Sequence, residues 1–223
     1  MSLLVYGVAR ADGTAVDGTG IDDRPLRGVS DDRLMAIVTD HDRSGPHPDA
    51  ATLDAYARTV EMLTDSRALL PAPFGRVLAD DDDVRAMLRR RRQHLLARLD
   101  RVHGAVELGL SARWLAGSDM ARDPRTESSI AYLRDRLETR QSARRLASEL
   151  DPLTALARSI RRAISTRRDL PVLDAYLVDR GRVSEFVAMV AELGDRLDGV
   201  ELVCTGPWPP YSFADGGVLR STP

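Results

Sequence analysis

The feature of this sequence that most constrains its fold is a proline-rich, aromatic segment, residues 205–214, directly after a predicted strand at 200–205. Proline fixes φ and has no backbone N–H, so we expect the strand to end here, no helix to begin, and the chain to leave the sheet as a stiff, extended ribbon. Such a ribbon would display its aromatic side chains to a partner. The alternative is that these side chains fold back onto their own domain. The prolines and aromatics concerned are Pro207, Pro209, Pro210, Trp208, Tyr211 and Phe213.

The same segment carries a resemblance to a known family. Residues 206–213 read GPWPPYSF, which resembles a signature of the gas vesicle protein family GvpL/GvpF. Further blocks are similar to family blocks in the same order along the chain: LPAPFGRV at 70–77, GAVELG at 104–109, AYL at 131–133 and DAYLVD at 174–179. Arg76 departs from the family pattern, which has a small hydroxyl residue at this position. The resemblance extends from Tyr6 to Phe213.

The resemblance implies a fold and a function. It implies two α+β domains, the second of them ferredoxin-like in a modified form. It also implies a part in gas vesicle formation, as a minor structural component or a chaperone-like factor that contacts the main hydrophobic shell protein and other gas vesicle proteins. It brings no catalytic residues, cofactor or metal to this chain.

We expect two blocks to form either the recognition surface or the scaffold beneath it. The earlier block contributes Leu70, Pro71, Phe74 and Gly75, and the C-terminal segment contributes Gly206, Pro207, Trp208, Pro209, Pro210, Tyr211 and Phe213.

Composition is that of an ordinary globular protein. Apolar residues make up 43% of the chain and charged residues 30%, with a formal net charge of −2. This charge gives no overall attraction to nucleic acid or anionic lipid. The N-terminus starts directly with a strand-like run and resembles no secretory signal, and no segment has about 20 continuous apolar residues, so we expect a cytoplasmic protein without a membrane span. The single cysteine, Cys204, lies on the apolar face of the last predicted strand and is expected to act as a small hydrophobe.

Apolar spacing predicts the elements of an N-terminal α+β domain at 1–104. Strands are expected at 3–8, 25–29 and 34–39, the last two as a hairpin, and a helix at 49–63 with Leu53 and Tyr56 on its apolar face. The prolines of 69–75 predict an extended crossing of the surface rather than a regular strand, with Phe74 as its anchor. One helix is expected from Asp80 to Val102.

Four consecutive aspartates, residues 80–83, have two interpretations. They resemble a metal-binding run, but calcium loops spread their ligands around a glycine turn that is absent here. They also lie where a helix begins, and exposed N–H groups favour negative charge there. Capping is therefore the preferred interpretation. The arginines at 89–92 span about one helical turn and are expected to be solvated in all directions.

The second predicted domain, 105–223, consists of a strand at 107–115, a long helix at 126–150, strands at 172–178 and 200–205, and a helix at 182–197 between them. Asp151 and Pro152 are expected to begin a further helix that carries Ile160 and Ile164. With one more edge strand this unit would approach a ferredoxin-like βαββαβ sandwich that ends in the proline and aromatic tail.

The sequence leaves two other functions open. A small-molecule sensor or enzyme on a ferredoxin-like scaffold would need a compact pocket with convergent polar groups. However, the sequence has no Gly-x-Ser-x-Gly elbow, no phosphate loop, no lysine and no zinc-type histidine spacing. His41 and His47 are expected to be polar residues of a loop. An RNA-binding module of the RNA-recognition-motif type would need aromatic residues on its central strands, where Tyr176 is the one candidate.

Overall fold

A computed structural model describes residues 2–42, 45–115, 129–164 and 171–214 and shows a mixed fold of helices and antiparallel sheets. This confirms the α+β prediction. Contacts between residues group the described chain into two compact units. The first contains the residues up to Ala105 together with those from Trp208 onward, and the second contains Val106–Pro207. The predicted domains divide the chain at a similar place, but they assign the C-terminal segment to the second domain.

The first unit is built on a five-stranded antiparallel sheet. Its elements, in chain order, are β1 (Ser2–Arg10), β2 (Arg27–Asp31), β3 (Leu34–His41), α1 (Ala50–Ser66), β4 (Leu69–Pro71), β5 (Val77–Leu78), α2 (Asp81–Arg90) and α3 (Arg92–Val102). The strand order is β2-β3-β1-β4, and β5 pairs with β1 beside β4. The predicted hairpin is β2 and β3, which pair from Arg27 opposite Val38 to Asp31 opposite Leu34.

Helix α1 covers one face of this sheet. It begins after Asp49, whose carboxylate accepts a hydrogen bond from the Thr52 N–H at 2.8 Å and so caps the helix. Its buried residues Tyr56, Val60 and Leu63 share a cluster with alternate residues of β1 and β3. Leu53, which the sequence places on the same apolar face, is 44% exposed instead.

The aspartate run begins a helix, as the capping interpretation predicts. The Asp80 carboxylate accepts from the Asp83 N–H at 2.9 Å. The prediction of one continuous helix is wrong, because α2 ends at Arg90 and α3 begins at Arg92 around a non-helical Arg91. Nor are the arginines simply solvated: Arg89 and Arg92 both bind the Asp31 carboxylate of β2, at 2.9 and 2.5 Å. This pairing holds the α2–α3 junction against the edge of the sheet.

The second unit has the element order βαββαβ. Its elements are β6 (Ala105–Trp114), α4 (Ser129–Glu149), β7 (Ala157–Ile164), β8 (Val172–Asp179), α5 (Val183–Arg196) and β9 (Val200–Trp208), and the strand order is β7-β8-β6-β9. The ferredoxin-like description of this domain remains a prediction. On α4, the predicted apolar side includes Leu137, which is 59% exposed, and Ile130 and Leu133, whose side chains lie outside the described residues.

The segment after α4 is a strand where the sequence predicts a helix. A short 3-10 turn, Asp151–Leu156, leads directly into β7, which pairs antiparallel with β8. Ile160 and Ile164 lie opposite Tyr176 and Val172 in this pairing. Two apolar residues four positions apart, such as Ile160 and Ile164, can share one face of a helix or one face of a strand. Pairing with β8 favours the strand here.

A buried polar cluster links β7 to β8. The Asp174 side chain is fully buried, and its Oδ2 accepts from the Arg162 guanidinium at 2.9 Å and from the Tyr176 hydroxyl at 3.0 Å. Arg162 also binds Asp151 at 2.9 Å. A buried carboxylate is tolerated only where such partners replace its hydration, so this cluster favours one register for the β7–β8 pair.

Candidate partner-binding site

The earlier of the two predicted blocks begins as an edge strand of the first unit. Prolines predict an irregular surface crossing, but Leu69–Pro71 forms β4 and pairs with β1, with Leu70 opposite Val8 and Pro71 opposite Gly7. Leu70 is 1% exposed and Pro71 is buried. Proline is compatible with this position because an edge strand does not need a donor on both sides.

Tyr56 of α1 connects this block to the centre of the unit. Its hydroxyl lies 2.8 Å from the carbonyl oxygen of Ala72 and 3.1 Å from that of Val5. Its ring stacks on Tyr6 with a centroid separation of 5.0 Å and meets Phe74 edge-on at 5.3 Å. Burial, with smaller contributions from Tyr211 and Tyr6, raises the pKa of the Tyr56 phenol well above its ordinary value. Tyr56 is thus a core residue, as the helix pattern predicts.

Phe74 and Gly75 form a tight turn next to β4. The Arg76 N–H lies 3.3 Å from the Pro73 carbonyl oxygen, and Gly75 has a φ of 79°, which favours glycine. Phe74 is partly buried against Tyr56 and is the expected anchor of the block, while Gly75 is exposed.

The C-terminal segment follows a different path from the predicted ribbon. Strand β9 continues through Pro207 to Trp208, and the helix α6 (Tyr211–Ala214) begins directly after Pro210. Both differences have a physical cause. β9 is an edge strand, where a missing N–H is tolerated. The first turn of a helix has no use for the N–H that proline lacks, so proline favours rather than prevents a helix start.

The segment divides into a buried part and an exposed part. Pro209, Pro210 and Phe213 are buried, with Phe213 only 3% exposed, and α6 packs against β4 and α3. The Arg98 guanidinium of α3 donates to the Ala214 carbonyl oxygen at 2.7 Å. These contacts fix the short helix on the first unit.

The exposed part consists of residues on either side of the two buried prolines. Trp208 is 47% exposed and Tyr211 is 36% exposed, while Gly206 and Pro207 are also exposed. Burial of part of its ring raises the pKa of the Tyr211 phenol to about 12, and the Glu61 carboxylate of α1 adds to the rise. The structure therefore brings Leu70, Phe74, Tyr211 and Phe213 together in one unit, with Trp208 at its surface.

Sequence reasoning did not find three residues near this segment: Arg98, which donates to Ala214, Glu61, whose charge acts on Tyr211, and Tyr6, which stacks on Tyr56. Arg98 is one of many arginines on a helix, and Glu61 lies between apolar positions of α1, so neither has a local signal. Tyr6 accepts a hydrogen bond from the Ile21 N–H at 2.9 Å and stacks under Tyr56. Its position in a buried strand was the one available indication.

The tyrosines of this unit predict a loss of stability at high pH. Burial is the main cause that raises the folded-state pKa of Tyr6, Tyr56 and Tyr211 above the ordinary value of 10.0. The unfolded chain therefore releases these protons first, so stability that is present below pH 10 decreases as the pH rises above it. Urea unfolding at about pH 8 and about pH 11 measures the decrease. The decrease in unfolding free energy should be smaller in the Tyr211→Phe variant. An equal decrease in the variant and the unmodified protein would show that Tyr211 plays no part.

The remaining candidate groups of the sequence are structural in the described chain. His41 is not a loop residue: it ends β3, is 3% exposed, and its Nε2 lies 2.9 Å from the Thr39 hydroxyl. Burial raises the pKa of the Cys204 thiol, which disfavours the reactive thiolate. Tyr176 is fully buried and cannot stack on a base. Within the described ranges, no group of three or more His, Cys, Asp or Glu side chains is placed to hold a metal ion.

Two solved structures share the fold of this chain. The crystal structure of the gas vesicle protein GvpF from Anabaena sp. PCC7120 superposes with a TM-score of 0.76 over 96% of this chain and 98% of that chain, at 16% identity. The GvpF structure from Microcystis aeruginosa gives a TM-score of 0.76 at 17% identity, over 96% and 99% of the two chains. This chain therefore has the α+β fold of the GvpF structures.

Sequence relatives extend this likeness. Gas vesicle protein L of Streptomyces sp. (strain CB03234) is 31% identical over 94% of this chain and 91% of its own length. Gas vesicle protein F2 of Halobacterium salinarum (strain ATCC 700922 / JCM 11081 / NRC-1) is 28% identical over 84% of this chain and 79% of its own length. Residues 2–215 match the family described as gas vesicle synthesis protein GvpL/GvpF, and the chain belongs to this family.

Family membership confirms the resemblance seen in the sequence and gives the chain a role in gas vesicle assembly. The family is one of gas vesicle proteins and is not known for catalysis. Of the helices in the described ranges, none combines the length and the apolar character needed to cross a membrane.

Proposed function

We propose that this protein binds the main hydrophobic shell protein during gas vesicle formation, and that the contact is made by Trp208 and Tyr211. It acts without catalysis or a cofactor, in the cytoplasm and in association with gas vesicles. The observation that carries the proposal is an indole that is 47% exposed although its neighbours Pro209 and Pro210 are buried.

The rigidity of this segment supports a role in binding. Pro209 and Pro210 fix their own backbone angles, Phe213 is buried, and Arg98 holds the last carbonyl of α6. A surface that is already ordered loses little conformational entropy when a partner docks. Phe213, Leu70 and Pro71 brace the contact from below, and Phe74 supports them through Tyr56.

The chemistry of the exposed side chains suits an apolar partner. Tryptophan and tyrosine are enriched at the positions that contribute most to protein interfaces. A half-exposed indole presents roughly 100 Å² of mostly apolar surface, and its burial by a partner is worth about 2 kcal/mol. A shell protein with an apolar, gas-facing surface would aggregate in water unless a partner covers that surface before assembly.

Trp208→Ala is expected to weaken binding to the shell protein about 30-fold, as the loss of about 2 kcal/mol predicts. Because Trp208 is half exposed, the thermal midpoint of the Trp208→Ala variant should differ little from that of the unmodified protein. Co-purification of tagged protein with co-expressed shell protein measures the first effect, and thermal unfolding of the purified variant measures the second.

Leu173→Ala is the matched control, because Leu173 is 44% exposed and lies in the second unit. It should leave co-purification unchanged. Full recovery of the shell protein with Trp208→Ala would contradict the proposal. A large fall in the thermal midpoint of Trp208→Ala would also contradict it, since the indole would then serve its own fold.

A further inference from the structure

A groove in the second unit forms a second candidate binding site. It has a volume of about 250 Å³ and is partly open to solvent. One wall is helix α4, and the other is formed by Trp114 at the end of β6 and by the connection from α5 to β9, Leu197, Asp198 and Val200. All of these residues belong to the same compact unit. Trp208 is assigned to the other unit.

Regular structure holds the two walls in place. The residues of α4 that line the groove are Ser142, Arg145, Leu146 and Glu149. They are spaced i, i+3, i+4 and i+7, which places them on one face over about 10 Å of helix. On the opposite wall, the Leu115 N–H donates to the Gly199 carbonyl oxygen at 2.9 Å and joins the end of β6 to the α5–β9 connection. The groove is thus preformed.

The floor of the groove is apolar. Leu146 is 4% exposed and Val200 is 8% exposed, and the partly buried Trp114 and Leu197 pack against the core of the unit. Pockets for small organic ligands usually have volumes of about 300–1,000 Å³. A groove of about 250 Å³ that is open on one side is better suited to one large apolar side chain from another protein.

The charged residues of the groove predict the charge of its partner. The side chains of Arg145, Glu149 and Asp198 are exposed at the rim of the groove. Two carboxylates and one guanidinium give this rim a net negative charge. Glu149 is also the last residue of α4, where the helix dipole places further partial negative charge. A positively charged group next to the apolar anchor would therefore be favoured.

We propose that this groove binds an amphipathic helix of a partner protein that inserts one large apolar side chain and carries arginine or lysine one turn away. The apolar side chain covers Trp114 and Leu146, and the basic side chain reaches Glu149 and Asp198. This is the helix-in-groove mode of recognition, in which an apolar anchor gives affinity and neighbouring charges select the partner. The proposal does not depend on the function assigned to Trp208.

The emission of Trp114 reports occupancy directly. The chain has two tryptophans, so Trp208→Phe leaves Trp114 as the single indole in the groove. The probe is a tryptophan-free, alanine-based helical peptide of about 16 residues, with a central leucine and an arginine one turn before and after it. This peptide should change the Trp114 emission in a saturable way. Peptides with alanine in place of leucine, or glutamate in place of both arginines, should bind at least tenfold more weakly.

Variants of the groove complete the test. Glu149→Gln together with Asp198→Asn should weaken the arginine peptide about tenfold, since each rim charge contributes modestly. Glu192→Gln, which removes an exposed carboxylate of α5 away from the groove, should have no effect. Ser142→Phe should fill the groove and abolish binding while the circular dichroism spectrum stays unchanged.

Three results would overturn the proposal. Equal affinity for the arginine and glutamate peptides would show that the rim does not select charge. Unaltered binding to Ser142→Phe would show that the peptide docks elsewhere. An emission that stays constant up to about 1 mM of the arginine peptide, the weakest range of specific binding, would show that the groove has no such ligand.

Discussion

Phe213→Ala is expected to lower the free energy of unfolding of the first unit by about 3 kcal/mol. Phe213 is 3% exposed, and the helix α6 that carries it packs on β4 and α3. Truncation removes the apolar contact and leaves a cavity that the surrounding regular elements cannot close. It also weakens the attachment of α6, so that the hydrogen bond from Arg98 to the Ala214 carbonyl no longer holds a fixed helix.

Amide hydrogen exchange measures this effect element by element. Exchange should become faster in α3, in β4 and in β1, the strand that pairs with β4, while α5 of the second unit keeps its protection. Tyr211→Ala is a suitable comparison because Tyr211 lies on the same short helix but is 36% exposed. It should cost less than Phe213→Ala. Equal costs for the two variants would mean that burial of Phe213 does not stabilise the unit.

Asp174→Ala is expected to lower the free energy of unfolding of the second unit by about 3 kcal/mol. The variant removes the carboxylate that binds the Arg162 guanidinium, which keeps Asp151, and it removes the oxygen that accepts a hydrogen bond from the buried Tyr176 hydroxyl. An uncompensated buried polar group costs more than the complete cluster contributes. Loss of the cluster should therefore loosen the β7–β8 pair first.

A second variant distinguishes two contributions to the free energy of unfolding: the cost of leaving Arg162 and Tyr176 without Asp174, and the net contribution of the complete cluster. Asp174→Leu combined with Arg162→Met and Tyr176→Phe removes every member together, and it should be more stable than Asp174→Ala. The Asp174 Oδ1 atom supports this expectation, because it is buried with no hydrogen-bond partner among the described residues. Urea unfolding of the three proteins provides the comparison. A triple variant that is less stable than Asp174→Ala would mean that the polar cluster is favourable in itself.

Most of the fold follows from local patterns. The hairpin of β2 and β3, helix α1 and strand β8 were predicted because each has a clear apolar pattern. The Asp49 cap of α1 was not predicted and is seen in the structure. The family signature at 206–213 was also visible in the sequence, since it depends on residue identity and not on structure.

The errors arose where distant residues decide the outcome. Ile160 and Ile164 fit a helix face and a strand face equally, and β7 exists because β8 and Asp174 lie beside it. The break at Arg91 has no proline or glycine to mark it, although Arg89 and Arg92 on its two sides bind the same Asp31. The β7–β8 pairing and the binding of Arg89 and Arg92 to Asp31 both depend on residues outside the local sequence, so a local pattern does not predict either of them.

The geometry of the C-terminal segment could not be predicted from its residues. Prolines 209 and 210 were expected to prevent a helix, yet the first turn of a helix does not need their missing N–H groups. Which aromatic side chain is buried and which is exposed depends on β4, α1 and α3, all more than 100 residues earlier in the chain. Sequence patterns alone could not distinguish Phe213 from Trp208.

The return of residues 208–214 to the first unit has a consequence for biosynthesis. A ribosome makes the chain from its N-terminus, so β4 and α3 emerge long before the helix that covers them. The first unit can reach its final stability only after residues 208–214 have been translated. A premature stop after Pro207 would therefore damage the part of the protein that was made first, and it would spare the part that was made last.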